Sequence, residues 1–513
     1  MELGTNIKYK AIYILKFNKL FKTSFMKKIL HLFILTSFIS FSQSQIGQGL
    51  NGDTADDYFG YDVSLSSDGT IVATCSPYND GNGYDSGLVR VYEYNSGVWI
   101  QVGNNIYGEG DHDLIGDAVS LSSDGTIVAI GGSLHDGDSI DSGLLRVFEN
   151  IGGVWTQIGQ DIYGEAESDR FGNAVSLSSN GQIVAGSSFW NNGVNSYDRS
   201  GYVRVYENIG GIWTQIGQDI DGEAKDDESG RSISLSSDGN IIAIGAPYNS
   251  GIGTASGHVR VYENIGCVWI QIGQDIDGDD EHSLFGRSVN LSSDGSILAT
   301  TGYLNGDSTG IARIYKNVSN VWIQLGQDII GEDVGYWFGS YISLSSEGNI
   351  MAVGASKDNG NGTESGHVRI YKFTSGVWTQ IGNDIDGAAA YDHSGLRLSL
   401  SSNGSTLAIG ATKNGDNGST LGEVRIYDLN AIFSLDDIVQ SKVSIYPNPT
   451  KEKFTIQLSE GFLLKKATIY TNLGQLVLIS NTNAISTTNL PIGLYYVEII
   501  TDKGKTTKKL VIE

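Results

Sequence analysis

Residues 229–247 read SGRSISLSSDGNIIAIGAP, and this stretch decides the fold. In its first half, apolar and small polar residues alternate, as they do in a strand with one buried face. The Asp-Gly pair at 238–239 is a tight-turn signal, and the apolar run after it is typical of a strand that is buried on both faces. The stretch therefore predicts two antiparallel strands joined by a hairpin.

The same pattern recurs along the chain, and its leucine returns at intervals of 53 to 58 residues. A nearly fixed period of this size is typical of propeller and solenoid arrays. Within one period, a long polar loop leads to a third strand, HVRVYE, and a short turn leads to a fourth, VWIQIGQDI. Four such strands make one propeller blade. The leucines mark seven repeats: Leu65, Leu121, Leu177, Leu235, Leu291, Leu344 and Leu400.

The two ends of the array complement each other. Six repeats end in a fourth strand that contains a tryptophan, whereas the seventh stops after Tyr427. Residues 45–52, QIGQGLNG, match QIGQDIDG at 271–278. We therefore expect the N-terminal strand to complete the last blade and to close the ring, because closure removes exposed strand edges.

The repeats resemble FG-GAP repeats, as found in the propeller of integrin α-subunits. The resemblance rests on FGNAVSLSSNG, on LFGRSVNLSSDG and on residues 229–247 followed by GHVRVYE, and it covers residues 45 to about 430. It implies a β-propeller with ligands on one face. The alternating aspartates of the FG-GAP calcium loop are missing, since the loop shrinks here to Ser-Ser-Asp-Gly. We therefore do not expect that calcium site.

Both termini have the character of export signals. From Met26 the chain reads MKKILHLFILTSFISFSQSQ, a charged, apolar and then small-polar pattern typical of a secretory signal. We assign residues 1–43 to this region, with Met26 as an alternative start, and we expect no transmembrane helix in the mature chain. An uncleaved membrane anchor is the other interpretation.

The last 75 residues or so contain the segment Tyr446-Pro447-Asn448-Pro449, followed by Gly474 and by Gly493-Leu494-Tyr495. On these residues, this part of the chain resembles the type A C-terminal sorting domain of the type IX secretion system of Bacteroidota. This implies passage through the secretion machinery to the outside of the cell, or attachment to the outer face of the outer membrane. The predicted organisation is a seven-bladed, all-β propeller over residues 44–430, a linker over 431–441 and a small β-sandwich over 442–513. The residues that carry the tail resemblance include Tyr446, Pro447, Asn448, Pro449, Gly474, Gly493 and Tyr495.

The charge of the chain is concentrated in the repeats. The whole protein has a net charge of -25, and residues 45–435 carry 17 basic and 50 acidic side chains. A field of this sign repels nucleic acid and anionic lipid. The acidic loops, such as 53–57 and 223–228, leave calcium open as a ligand, although their spacing matches no standard calcium loop.

Loop length points to one face of the propeller as the binding face. The connections from the second to the third strand, and from each blade to the next, are long and lie on the same side. Aromatic residues outside the repeat pattern occur there beside amides and carboxylates, a combination that suits a sugar or a peptide. The alternative is that they fill gaps between blades. The candidate ligand-binding residues are Trp190, Tyr197, Asp198, Tyr336 and Trp337.

Catalytic signals are weak, so no catalytic residue, metal ligand or cofactor is assigned. The chain contains no H-E-x-x-H or G-x-S-x-G motif. The predicted function is a secreted or cell-surface binding or adhesion propeller for an extracellular glycan or protein. A secreted glycan hydrolase and a structural surface component without a discrete ligand are the alternatives.

Overall fold

The computed structural model describes residues 43–191, 199–303, 309–332, 334–413, 421–433, 442–459, 461–472, 475–502 and 504–513. Within these ranges the chain is all-β, and the one helical element is a 3-10 turn at Asn430–Ile432. The same ranges contain no helix that is long and apolar enough to cross a membrane. The predicted signal region lies outside them except for Gln43.

Described residues between 44 and 428 form seven antiparallel sheets. In sheets 1 to 6, the first to fourth strands lie side by side in chain order, as the period predicts; in sheet 7 the fourth position is taken by a strand from the start of the array. Sheet 1 contains Val63–Leu65, Ile71–Ser76, Leu88–Asn95, Val98–Gln101 and Ile106–Tyr107; sheet 2 contains Ile115–Leu121, Ile127–Gly132, Leu144–Asn150, Trp155–Gln157 and Ile162–Tyr163; sheet 3 contains Ala174–Leu177, Ile183–Ser188, Tyr202–Asn208, Trp213–Gln215 and Ile220–Asp221. Sheet 4 contains Ser232–Leu235, Ile241–Ala246, His258–Asn264, Trp269–Gln271 and Ile276–Asp277; sheet 5 contains Ser288–Leu291, Ile297–Gly302, Ile311–Asn317, Trp322–Gln324 and Ile329–Ile330. Sheet 6 contains Phe338–Leu344, Ile350–Ala355, His367–Thr374 and Val377–Asp386; sheet 7 contains Arg397–Leu400, Thr406–Ala411, Glu423–Asp428, Ser44–Gln45 and Leu50–Asn51.

The fourth strand differs from its prediction as one continuous element. In sheet 4 it is split into Trp269–Gln271 and Ile276–Asp277, which both pair with the third strand. Gly273, between the two halves, has a φ of 80°, a left-handed conformation that breaks the ladder. Sheet 6 keeps its fourth strand in one piece but with a shift in register.

The N-terminal segment fills the fourth-strand position of sheet 7, as its sequence predicts. Gln45 lies opposite Tyr427, just as Gln271 lies opposite Tyr262 in sheet 4. Leu50 pairs with Val424 further along the same strand. Residues from opposite ends of the array thus share one sheet.

Two series of backbone hydrogen bonds link each sheet to a neighbour, and both return from sheet 7 to sheet 1. In the first, the leucine N–H of each first strand donates to a small polar side chain on the first strand of the preceding sheet; Leu65 donates to Ser399 Oγ at 2.9 Å. In the second, a serine N–H in each first turn donates to the serine carbonyl of the next. The acceptors of the first series are Ser399, Ser64, Ser120, Ser176, Ser234, Asn290 and Ser343. The serines of the second series are Ser67, Ser123, Ser179, Ser237, Ser293, Ser346 and Ser402.

The repeated tryptophans join neighbouring sheets at their outer strands. Trp213 is 3% exposed, and its indole N–H donates to the carbonyl of Ile158 in the preceding repeat at 2.8 Å. At the junction between the chain ends, Trp99 makes the same bond to Ile46. The other four tryptophans with this bond are Trp155, Trp269, Trp322 and Trp378.

The tail forms two further sheets around one apolar core. Phe454, Ile469, Val497 and Leu510 are fully buried in it. The first sheet contains Val443–Tyr446, Lys453–Leu458 and Ala484–Ser486; the second contains Leu476–Ser480, Leu464–Thr471, Gly493–Thr501 and Lys505–Ile512.

Candidate ligand-binding face and its arginine cavity

The connections between strands are unequal at the two ends of the sheets. The connection from the first to the second strand is a tight turn, in which Ser236 Oγ accepts the N–H of Ile241. At the other end, each long loop reaches the start of the next sheet; Gly143 bridges to Phe171, and Gly422 bridges to Phe59 across the chain ends. We call this second end the long-loop face.

Trp190 is half-buried on the long-loop face and is covered by cations. The guanidinium carbon of Arg170 lies 4.7 Å from the centre of its ring, and that of Arg199 lies 5.3 Å away. Phe189 packs beside it, and the guanidinium carbon of Arg231 lies 4.3 Å from the Phe189 ring. The indole is therefore a platform for arginines, an arrangement that the sequence did not predict.

Trp337, in the loop that precedes sheet 6, has a similar setting. Its ring stacks on Tyr303 with centroids 5.4 Å apart, and the Lys357 ammonium lies 3.7 Å from its centre. The guanidinium carbon of Arg287 lies 5.2 Å from the Tyr303 ring. Tyr336, also half-buried, accepts a hydrogen bond from Asn359 at 3.1 Å. Of the other candidate residues, Tyr197 and Asp198 lie outside the described ranges.

The acidic loops contact the arginine that recurs in every third strand. Arg146 pairs with Asp161 of its own sheet at 2.6 Å and with Glu109 of the loop before that sheet at 3.0 Å. Burial raises the pKa of the Asp161 carboxyl, but hydrogen bonds from Arg146 and Tyr163 outweigh this effect and hold the pKa at about 2. Corresponding loop carboxylates that meet a repeated arginine are Asp53, Glu165, Glu223, Asp279 and Glu332.

One group of side chains has the spacing of a metal site. Glu223, His258 and Asp275 each offer a ligand atom within 4.8 Å of the others. Arg260 bonds to Glu223 and lies 3.3 Å from Asp275, so the two carboxylates already share a cation.

A cavity of about 170 Å³ lies where the first strands begin, at the long-loop face. It is lined by the residues that follow the glycine at the start of each first strand. Elsewhere the repeats agree closely, but here they read Tyr61-Asp62, Asp117-Ala118, Asn173-Ala174, Arg231-Ser232, Arg287-Ser288, Ser340-Tyr341 and Leu396-Arg397. We call it the arginine cavity, after Arg231, Arg287 and Arg397.

The two acids of the arginine cavity are held by the protein itself. Asp62 accepts the N–H groups of Val63 and Val119 at 3.0 and 2.9 Å and lies 3.7 Å from Arg397 Nε. Asp117 accepts a hydrogen bond from the Ser133 hydroxyl. Burial raises the pKa of both carboxyls, that of Asp117 to about 6.

Sequence reasoning missed the arginine cavity, although a signal was present. Features that recur seven times serve the scaffold, so a position that varies inside a strongly repeated strand is informative. The position after the first-strand glycine is such a case, with arginine at 231 and 287 only. The irregular loop residues Trp190 and Trp337 were predicted instead, and they pack against Phe189 and Tyr303, the rings that contact Arg231 and Arg287.

The tail motif joins the first and last strands of its domain. Tyr446 ends a strand and is 66% exposed, and Pro447 and Pro449 are also exposed. Asn448 donates to the Lys509 carbonyl and accepts the Val511 N–H, both at 2.8 Å. Tyr495 is buried and donates to the carbonyl of Pro491. Gly493 begins the neighbouring strand, and Gly474 lies outside the described ranges.

Comparison with known families identifies this part of the chain. Residues 444–513 match the family described as secretion system C-terminal sorting domain. The tail is a type IX secretion C-terminal sorting domain. The protein is therefore secreted or attached to the outer-membrane surface, and the sorting domain addresses it to the secretion machinery.

The repeats are less well connected to known proteins. No curated protein sequence matches the chain. A crystal structure titled "putative 6-phosphogluconolactonase" from Bacteroides uniformis is similar to it with a TM-score of 0.44 and 15% identity, over 64% of this chain and 85% of that one. A likeness at this level carries no argument about function.

Proposed function

We propose that residues 44–430 form a closed, seven-bladed β-propeller of the FG-GAP kind, followed by a linker over 431–441 and the sorting domain over 442–513. The proposal is supported by the two hydrogen-bond series that return from sheet 7 to sheet 1 and by the N-terminal strand in sheet 7. We assign residues 1–43 to the export signal.

We further propose that this propeller binds an extracellular glycan or protein at its long-loop face, without a cofactor. The observation that carries the proposal is the arginine cavity, where the repeat pattern is broken. Trp190 packs beside Phe189, whose ring contacts Arg231 of the cavity, and Trp337 stacks on Tyr303, whose ring contacts Arg287. Tight turns occupy the other end of the sheets, so the long-loop face offers the varied surface that recognition needs.

A glycan hydrolase is the second candidate, because Asp62 and Asp117 both line the arginine cavity. Glycoside hydrolysis needs two carboxyl groups, one of them with a raised pKa. Turnover of a polysaccharide that is lost in Asp117→Asn would establish this activity. A structural surface component without a ligand is the third candidate.

A glycan array probed with the mature protein tests the binding proposal, with pull-down from extracellular protein extracts as the second arm. We expect binding to be weakened in Trp190→Ala and in Trp337→Ala, because each change removes an indole that supports Phe189 or Tyr303, the rings that contact Arg231 and Arg287. Ile209→Ala is the control, since Ile209 is 57% exposed in the turn between the third and fourth strands, at the opposite end. Equal binding by all four proteins would contradict the assignment of this face.

A further inference from the structure

Arg231 and Arg287 differ from the repeated arginines because neither has a described carboxylate within salt-bridge distance. Glu228 attracts Arg231 only from further away. The repeated arginines each contact at least one acid, and Arg199 lies 2.7 Å from Asp226. Within the described residues, neither Arg231 nor Arg287 has a carboxylate oxygen within 4.0 Å of its guanidinium. Both side chains line the arginine cavity.

The two cations repel each other across the cavity. Burial, followed by repulsion from Arg287, lowers the pKa of Arg231 to about 10, against the opposing attraction of Glu228. At neutral pH the guanidinium stays charged, so two like charges share one recess. An anion between them would remove this repulsion and satisfy the free N–H donors.

The rest of the cavity leaves room for an anion rather than a cation. Asp62 and Asp117 already accept hydrogen bonds, and Arg397 lies against Asp62, so the free groups are donors. The aromatic faces of Phe189 and Tyr303 fix Arg231 and Arg287 from behind. A planar guanidinium that is held in this way presents its N–H groups in the geometry that suits a carboxylate or a sulfate.

We propose that the arginine cavity binds one compact oxyanion, a carboxylate or sulfate group carried by a saccharide, between Arg231 and Arg287. The proposal rests on the proposed function and gives it a ligand class, the acidic glycans. At about 30 Å³ per water, the cavity of about 170 Å³ has room for roughly six waters, so it takes an acidic group and part of the sugar that bears it. The 50 acidic side chains of residues 45–435 repel extended polyanions, which favours a chain with an isolated or terminal acid.

Calorimetric titration of the mature protein tests the proposal with three probes: galacturonic acid, galactose 6-sulfate and neutral galactose. We expect at least one acidic sugar to bind and galactose not to bind. In Arg231→Gln and Arg287→Gln, affinity for the acidic sugar should fall about tenfold or more, the size expected when a charge-assisted hydrogen bond is lost. Lys225→Gln is the matched control, because Lys225 is an exposed cation of the same face.

A melting experiment on the same variants gives a second readout. Without ligand, Arg231→Gln should melt close to the wild type, because the loss of one repelling cation is offset by the loss of its attraction to Glu228 and of its contact with Phe189. Saturating acidic sugar should raise the melting temperature of the wild type more than that of the variant. The proposal is overturned if galactose binds as tightly as the acidic sugars, or if both glutamine variants keep wild-type affinity. It is also overturned if N-acetylglycine binds as well as the sugars, because the ligand would then be a peptide carboxylate. Loss of glycan binding in the tryptophan variants, with no acidic sugar bound by the wild type, would overturn this inference and leave the binding face intact.

Discussion

Asp117 shows how a single buried carboxyl can set a pH dependence. Burial raises its pKa from 3.8 to about 6, against the opposing effects of Ser133, Arg397 and Arg170. The folded protein thus holds the proton more tightly than the unfolded chain, and the free energy of unfolding should fall as pH rises from about 4 to 6. Relative to Asp117→Asn, we expect the wild type to lose up to about 3 kcal/mol over this range. Urea denaturation at a series of pH values measures the difference, and parallel curves for the two proteins would refute it.

The hydrogen bond from Trp213 to Ile158 links the outer strands of neighbouring sheets, and substitution of Trp213 measures its contribution to stability. Phenylalanine at this position keeps much of the apolar contact but leaves the carbonyl of the half-buried Ile158 without its indole donor. We expect Trp213→Phe to lower the free energy of unfolding by about 1–3 kcal/mol. Trp213→Ala, which also opens a cavity, should cost about 3–5 kcal/mol. If the two substitutions were equally costly in chemical denaturation, the hydrogen bond would have no separate role.

At the scale of strands and loops, the third-strand arginines explain much of the acidic charge. The sequence shows one arginine per repeat and a series of acidic loops, but it does not show that they meet. Arg369 pairs with Glu332 and Asp384, both at 2.9 Å, which repeats the arrangement around Arg146. Carboxylates that appear free for a cation are thus partners of the scaffold.

This arrangement predicts how the protein responds to calcium. Because the loop carboxylates already bond to guanidinium groups, we expect the melting temperature to be the same in calcium and in excess EDTA. In Arg260→Gln, by contrast, calcium should raise the melting temperature, because the substitution frees Glu223 and Asp275 beside His258. Differential scanning calorimetry provides the measurement. A clear rise in melting temperature of the wild type with calcium would show that an acidic loop does hold the ion.

Strand positions were predictable because hydrophobic period and turn signals are local properties. The leucine register placed every first strand, and Asp-Gly or Asn-Gly marked six of the seven turns after them, with Glu-Gly in the sixth repeat. The break of the fourth strand was not predictable from the apolar pattern, since the strand keeps its pairing partner on both sides of Gly273. Contacts such as Arg231 with Phe189 join residues of different sheets, and no local pattern reveals them.

For the whole molecule, the account depends on the meeting of the chain ends. Ser44–Gln45 and Leu50–Asn51 complete sheet 7, Trp99 bonds to Ile46, and Gln43 occupies the place of the missing tryptophan, where its amide bonds to the Asn383 carbonyl at 2.7 Å. The repeat period alone fixed the number of sheets, while the match between residues 45–52 and 271–278 predicted this junction.

Thermal unfolding of two truncated proteins tests the junction most directly. Removal of residues 44–51 uncovers the third strand of sheet 7 and exposes the apolar surface that Leu50 covers. It also removes the Ile46 carbonyl that accepts the indole N–H of Trp99. These losses sum to about 5 kcal/mol, which lowers the melting temperature by about 10 °C. Removal of residues 442–513 should leave the transition of the repeats within a few degrees of the wild type. Equal melting temperatures for the two truncations would contradict a ring closed by its N-terminal strand.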